Sequence, residues 1–379
     1  MNIAIDIETA LSSPTGIGRY TRSIVTEFAR QGSKHNFWLF HSSNFSKSES
    51  SIFSSLPANF TVYRLKYSRR TLRLWSLIGR LPNRARKPFP SIPDLLFSPS
   101  GNMIPLEAHL RIGTIHDISV IDDTSLVSAL ERFVTRREFG QLIRRSDRVV
   151  TVSEFSRSRI IEQWNIEPGQ VVSVYEGCEI DGDPPKNGHS EGESSPLKSL
   201  TSTPFFLWSG AMMRRKNLIR LIEAFSRVSS QTGHDLTLVF TGPDGNDSAR
   251  VTEAVKKYGI TESFTHLGIV DNQSLRKLMQ TAAAFIFPST YEGFGLPIIE
   301  AMTLGTPVIT SDATATREIA GGAALLIDPL DVGSIENAMM QILADSDLTD
   351  RLRIAGKKQA ANFHWSATAS SLLEIFEDA

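Results

Sequence analysis

The sequence predicts an α/β protein built from two parallel-sheet domains, and three observations carry that reading. Short apolar runs alternate with helix-like stretches from one end to the other, the rhythm of parallel βα units. The 379 residues exceed the roughly 100–200 of one ordinary domain, so two full cores are expected. A polar stretch from Asp181 to Pro204, with Pro184, Pro185, Gly188 and Pro196 and only two leucines, interrupts the rhythm midway. It reads as a flexible linker. The expected organisation is residues 1–180, a linker over 181–204, and residues 205–362. Two open α/β sheets of this kind put a ligand crevice at the carboxyl ends of their strands.

In the first half, strands are expected at Ile3–Ile7, Phe37–His41, Thr61–Leu65, Asp94–Ser98, Arg111–His116, Val149–Val152 and Val171–Tyr175. Helices are expected at Gly18–Arg30, Ser128–Arg145 and Glu154–Gln163, the last with Ser153 as its N-cap. In the second half, the strands are Phe205–Gly210, Leu236–Gly242, Thr265–Leu267, Ala284–Pro288, Pro307–Thr310 and Ala324–Ile327. Helices fill Asn217–Ser229, Ser248–Tyr258, Asn272–Ala282, Pro297–Leu304, Val332–Ala344 and Thr349–Asn362. Phe363 and Trp365 anchor a last helix over Ser366–Phe376.

Composition narrows the function classes. A formal net charge of −1 argues against general nucleic-acid binding, which wants a strong basic excess. The one cysteine, Cys178, cannot form an intrachain disulfide, so a reducing cytoplasm is the expected compartment. Met1 to Asp6 reads directly as a strand, and no signal peptide is expected. No run approaches the ~18 apolar residues of a membrane span.

The most informative segment is Ser289-Thr290-Tyr291-Glu292-Gly293-Phe294-Gly295-Leu296-Pro297-Ile298-Ile299-Glu300, with Gly305-Thr306-Pro307 beyond it. Two carboxylates flank a glycine-rich turn, and Pro297 suits the first position of a helix. The N–H groups of that turn and the positive end of the helix dipole make an anion site. Glu292 stands before the site, where it accepts hydrogen bonds from hydroxyls. Glu300, one turn into the helix, suits a vicinal diol. A phosphate between one carboxylate for a sugar and one for a ribose is the layout of a nucleotide-sugar site.

That segment closely resembles the E-x7-E element of retaining glycosyltransferases of family 4, which have the GT-B fold. The resemblance implies two Rossmann-like parallel-sheet domains facing each other across a crevice. It also implies a last helix, within 363–379, that crosses back to join the N-terminal, acceptor-binding domain, with the donor bound in 205–362. The implied reaction moves a hexose from a nucleoside diphosphate sugar to a hydroxyl of a glycan or lipid-linked acceptor. The resemblance favours mannose from GDP-mannose, in cell-surface polysaccharide or lipopolysaccharide synthesis. A nucleotide-sugar epimerase, a phosphorylase and a non-catalytic glycan-assembly scaffold on the same fold are the alternatives.

Gly210 to Leu218 resembles the family's phosphate-binding R-K-N element. Many relatives place an arginine directly after the strand glycine, where this chain has Ala211. Either Arg214 or Arg215 then supplies the guanidinium beside Lys216, Arg215 by preference. Arginine offers a planar fork to a diphosphate and lysine a point charge. Thr15-Gly16-Ile17-Gly18 lacks the third glycine and the short approach of a dinucleotide fingerprint. It resembles instead the family's N-terminal glycine loop, in which Gly16 and Gly18 admit the donor phosphates. His116-Asp117 resembles the family's H-D element, whose histidine lines the sugar pocket. The implied roles give Arg215 and Lys216, with the N–H groups of Phe294, Gly295 and Leu296, to the departing diphosphate. Glu292 goes to the sugar hydroxyls, Glu300 to the ribose and His116 to the sugar pocket.

No metal site and no cofactor are expected. Asp181-Gly182-Asp183 imitates a D-x-D motif but falls in the linker rather than after a strand. From Arg64 to Lys87 there are nine basic residues and no acid, with Leu72, Leu74, Trp75, Leu77 and Ile78 among them. Such a stretch is either a solvated face or a peripheral contact with anionic membrane, with Trp75 inserting. The reading favours the membrane, at the inner face of the cell membrane, with Arg136, Arg137, Arg144, Arg145 and Arg148 extending the face.

Overall fold

The computed structural model describes residues 1–12, 16–44, 53, 55–78, 87–178, 203–233 and 235–379. The expected linker and Asp181-Gly182-Asp183 lie outside the described residues, apart from the linker's last two positions. The chain forms two compact units, Met1–Gly177 with His364–Ala379, and Cys178–Phe363.

The first unit carries a seven-stranded sheet in the order β3-β2-β1-β4-β5-β6-β7. Its strands are β1 (Asn2–Asp6), β2 (Asn36–His41), β3 (Phe60–Arg64), β4 (Leu95–Ser98), β5 (Leu110–Thr114), β6 (Arg148–Thr151) and β7 (Val171–Ser173). Every neighbouring pair is parallel. Its helices are α1 (Glu8–Ser12), α2 (Gly16–Arg30), α3 (Arg69–Ile78), α4 (Ser119–Asp122), α5 (Ala129–Arg145) and α6 (Glu154–Trp164). Continuous apolar strands such as Leu95–Ser98, buried throughout, need both sheet faces covered.

The second unit repeats the plan with six parallel strands in the order β10-β9-β8-β11-β12-β13. They are β8 (Phe205–Ser209), β9 (Thr237–Thr241), β10 (Phe264–His266), β11 (Ala284–Phe287), β12 (Val308–Ser311) and β13 (Leu325–Ile327). Its helices are α7 (Leu218–Thr232), α8 (Ser248–Lys257), α9 (Asn272–Thr281), α10 (Leu296–Thr303), α11 (Thr314–Ala320), α12 (Val332–Ala344) and α13 (Ser346–Ala360). Each sheet reverses its strand order once, between β1 and β4 and between β8 and β11. These are the topological switch points where open α/β sheets take ligands.

The last helix, α14 (Trp365–Asp378), packs on the first unit. Phe376 meets Phe28 and Phe97 at ring distances of 6.0 and 5.0 Å, and Trp365 meets Tyr20 at 5.9 Å. Glu377 closes the far end on His35 at 2.9 Å. Backbone contact at the near end is so close that a Cβ on Gly177 would lie 2.0 Å from the Trp365 nitrogen. Only glycine fits there.

Expected and observed elements agree to within a residue or two at most ends, which is the ordinary scatter of helix and strand termini. Larger departures have local causes. Helix α2 starts at Gly16, because packing of Tyr20, Ile24, Val25 and Phe28 into the core outweighs the low helix propensity of its two glycines. Helix α13 starts at Ser346, with Asp345 accepting the Leu348 N–H as N-cap. Helices α1, α4 and α11 span four to seven residues and carry too little periodicity to be read. Among the described residues, no helix is long and apolar enough to cross a membrane.

Candidate functional site

The site of the second unit grows from its switch point. After β8 the chain enters a single 3-10 turn, Arg214–Lys216, and then Asn217 at φ 60° before α7 begins. Asparagine tolerates this left-handed geometry better than most residues. Its side chain fixes the turn, donating to the Pro288 and Pro329 carbonyls at 3.1 and 2.6 Å and accepting from Arg220 at 2.9 Å. After β11 the chain runs through a turn into α10. Thr290 N–H donates to the Arg215 carbonyl at 2.8 Å, which ties the two loops together.

Three of the residues singled out in the sequence meet directly. Lys216 Nζ donates to Glu292 Oε1 at 2.7 Å, and Arg215 Nη1 lies 2.6 Å from Glu292 Oε2. Arg215 also donates to the Tyr291 carbonyl at 3.0 Å, and Lys216 sits 4.3 Å above the Phe287 ring. Glu292 is 7% exposed and Lys216 8%. Burial pushes the Glu292 carboxyl up, but Arg215 and Lys216 outweigh it and hold the group at about 2. Two cations share one carboxylate, so these three side chains together carry a net positive charge in a site largely closed to water. Such a site attracts an anion.

The backbone around Glu292 is held from a third side. Its N–H donates to Thr314 Oγ1 at 3.2 Å, and its carbonyl accepts from Ala315 at 3.4 Å. Thr314 adopts φ 52°, a costly conformation for a β-branched residue. Gly295 caps α10 at φ 124°, where other residues are strained. Leu296 then takes the first helical position and Pro297 the second, one place later than the sequence suggested. Phe294 turns its ring inward, 5% exposed and 5.8 Å from Phe363. Glu300 lies half-buried one turn into α10. Pro297 has no N–H and the Ile298 N–H donates to the Gly295 carbonyl at 2.9 Å, while the start of α10 carries the positive end of its dipole.

The remaining candidates belong to the first unit. Gly16 and Gly18 sit in the first turn of α2 rather than in a loop. His116 follows β5 and is largely buried, its ring 4.7 Å from that of Tyr20. Nδ1 lies 3.1 Å from Glu176 Oε1 and Nε2 lies 2.9 Å from the Pro99 carbonyl. Burial lowers the His116 pKa, but the carboxylate of Glu176 and the Pro99 carbonyl more than reverse this, and the net direction is upward. Both ring nitrogens therefore face acceptors supplied by the protein. Asp117 accepts from Ser119 N–H and Oγ at 2.9 and 2.6 Å at the entry to α4, and Ser153 caps α6 at 3.0 Å from Ser156 N.

Sequence reasoning missed Glu176, Thr314 and the bracing role of Asn217. An acid between Tyr175 and Gly177, next to an apolar run, was the visible signal for Glu176. Thr314 offered none, since its role rests on backbone geometry. One expectation needs correction. Trp75 packs against the first unit's core and meets Tyr67 at 4.9 Å, so its ring is not available to insert into lipid. Among the described residues, no group of three His, Cys, Asp or Glu is placed to hold a metal ion.

Two parallel-sheet α/β units of this kind are the architecture of the GT-B fold. Residues 14–181 match the model of Glycosyltransferase Family 4, and residues 191–359 that of Glycosyl transferases group 1. The chain belongs to glycosyltransferase family 4. It is 28% identical over 384 residues to O-antigen chain mannosyltransferase B of Escherichia coli, covering 96% of each protein. Its fold is similar to that of sucrose-phosphate synthase from Thermosynechococcus elongatus, with a TM-score of 0.73 and 20% identity over 100% of this chain and 98% of that one. Anabaena HepE, solved with UDP and glucose, also gives 0.73, at 16% identity over all of both chains.

Removing the central carboxylate takes away the counter-charge that Glu292 supplies to two neighbouring cations. Glu292→Gln is expected to destabilise the protein by ~3–5 kcal/mol, read as a lower urea midpoint at pH 7. The pH dependence has a definite sign. A carboxyl held at about 2 rather than its ordinary 4.5 contributes stability that is fully present above pH 4.5 and is lost as pH falls towards 2. Urea midpoints of the wild type should fall across that window more steeply than those of Glu292→Gln.

Proposed function

We propose that this chain is a retaining mannosyltransferase that moves mannose from GDP-mannose to a hydroxyl of a glycan or lipid-linked acceptor in cell-surface polysaccharide synthesis. The observation that carries the reading is the buried, net-positive cluster of Arg215, Lys216 and Glu292 beside the start of α10. Similarity to an Escherichia coli O-antigen mannosyltransferase along 96% of the chain supports mannose and the polysaccharide context.

In this reading the bond between the anomeric carbon and the diphosphate oxygen breaks while the acceptor oxygen bonds the same face of that carbon. The acceptor proton leaves with the departing phosphate. Charge grows on the leaving oxygen, and groups fixed in advance around it stabilise the transition state most. Lys216, Arg215 and the backbone at Phe294, Gly295 and Leu296 supply that charge and those donors. Glu292 orients the cations before the donor arrives and then the sugar hydroxyls, and Glu300 accepts from the ribose diol. In the first unit, Gly16, Gly18 and His116 belong to the substrate face, His116 held in one orientation by Glu176 and Pro99. The two cations take the part a divalent ion plays elsewhere, so no metal or other cofactor is required.

Transfer of radiolabelled mannose from GDP-mannose tests this directly. Lys216→Ala is expected to lower kcat by at least tenfold, because its contact strengthens as charge develops. Glu300→Ala should instead weaken donor binding by about tenfold or more, the cost of one charged hydrogen bond. EDTA should leave transfer undiminished. Unchanged kcat in Lys216→Ala removes that lysine from the mechanism, and loss with EDTA that magnesium restores ends the metal-free reading.

We also infer that the enzyme is cytoplasmic and attaches peripherally to anionic membrane. Arg73 pairs with Glu138 through two nitrogens at 2.5 and 3.0 Å, which holds α3 against α5. Around that contact Arg70, Arg136 and Arg137 are exposed, together with Leu74, Leu130 and Phe133 at 55%, 71% and 62%. Each basic residue near an anionic surface contributes ~1 kcal/mol, and the exposed apolar side chains replace Trp75 as inserting groups. The protein should co-sediment with phosphatidylglycerol vesicles at low salt and release at 1 M, where the screening length falls to ~3 Å. If changing Arg70, Arg136 and Arg137 to Ser leaves sedimentation unaltered, the face is merely solvated.

A further inference from the structure

The first unit has its own switch point, between β1 and β4, and a small recess lies there. Asp6 ends β1 and Glu8 opens α1, and they are 2% and 3% exposed. Glu8 is committed, since Ser42 N–H and Oγ donate to its two oxygens at 2.7 and 2.9 Å. Asp6 is committed on one side only. Oδ1 accepts the Glu8 N–H at 3.0 Å, while Oδ2 accepts from no described residue. Arg69, the first residue of α3, reaches only to 3.9 Å from Glu8 Oε1, beyond a hydrogen bond. Leu72 of α3 with Asn102, Met103 and Ile104 after β4 complete the wall.

The recess leaves about 20 Å³ of free space, room for one water or one hydroxyl. The charge of the recess opposes a phosphate, since Asp6 and Glu8 outnumber Arg69 and Arg73 already pairs with Glu138. A cation would want several carboxylate oxygens, and those of Glu8 are taken. Burial pushes the Asp6 carboxyl up to about 6, with Arg69 pulling it partly back. A carboxylate out of water with an idle oxygen is costly unless something donates to it.

We propose that this recess seats one hydroxyl of a polyhydroxylated acceptor, with Asp6 Oδ2 accepting its hydrogen bond and Arg69 donating to a neighbouring acceptor oxygen. Asp6 and Arg69 are then specificity-determining residues, which select an acceptor by where its hydroxyls stand. The inference rests on the reading of the chain as a transferase whose first unit takes the acceptor. It adds which residues do so and by what chemistry.

The test titrates octyl α-D-mannopyranoside and its 2-, 3-, 4- and 6-deoxy analogues into the full chain, followed by ligand-observed NMR. The wild type should bind the parent glycoside and bind about tenfold more weakly each deoxy analogue that lacks an oxygen facing Asp6 or Arg69. Asp6→Asn should bind the parent at that weaker level and no longer distinguish the analogue that lacks the oxygen Asp6 faces, which a merely structural role would not produce. Should Asp6→Asn not fold, Arg69→Met on the more exposed wall should weaken binding of the parent and no longer distinguish the analogue that lacks the oxygen Arg69 faces. A wild type that binds no glycoside, or treats all four analogues alike, overturns the proposal, as does a variant that keeps the discrimination. A GDP thermal shift on the same samples reports the second unit separately. Its absence in the wild type counts against the donor reading while the glycoside titration still decides the recess.

Discussion

Glu292 sits between two cations in a place that water barely reaches, and this constraint organises the loops around it. A buried ion group of this kind is worth little as stabilisation against an apolar replacement, because its desolvation offsets most of its attraction. What it does supply is position. Lys216 and Arg215 are held to within 2.7 Å of a fixed carboxylate, so their charges are in place before any ligand arrives. Three further devices serve that arrangement: the left-handed Asn217, the strained Thr314 and the stitch from Thr290 to the Arg215 carbonyl. Strain at such positions persists only where surrounding structure over-determines it. In the proposed reaction, this preorganisation removes the need to reorient charge as the diphosphate leaves.

The two units solve the same topological problem with different chemistry. In the second, the loops after β8 and β11 bring two cations to one carboxylate and leave positive charge. In the first, the end of β1 and the start of α1 bring two buried acids near an arginine of α3 and leave a carboxylate oxygen idle. One suits an anion and the other a neutral group rich in hydroxyls. A transferase needs both kinds of site, and the switch point of a parallel sheet is where each fold half can build one.

Much of this was legible in the sequence. Continuous apolar strands, the Gly-Pro entry to α10 and the E-x7-E spacing depend on local chemistry that sequence displays directly. Contact between Lys216 and Glu292, 76 positions apart, was not legible, because it follows from β8 and β11 being neighbours in the sheet. The notion of Glu292 as a residue waiting for sugar hydroxyls therefore omitted its first partners. Asp6, Glu8 and Glu176 were passed over for a related reason. Single acids at strand ends look like turn residues until the fold shows them buried. Trp75 erred in the opposite direction. Its basic neighbours suggested an outward face, while the core under α3 claimed the ring.

The most direct measurement of the central claim is calorimetric titration of the full chain with GDP and GMP, since the two differ by the phosphate that Lys216 and Arg215 are proposed to hold. The account predicts that GDP binds at least tenfold more tightly than GMP, and that Lys216→Met abolishes most of the preference. Equal affinity for the two nucleotides, or an undiminished preference in the variant, would contradict it.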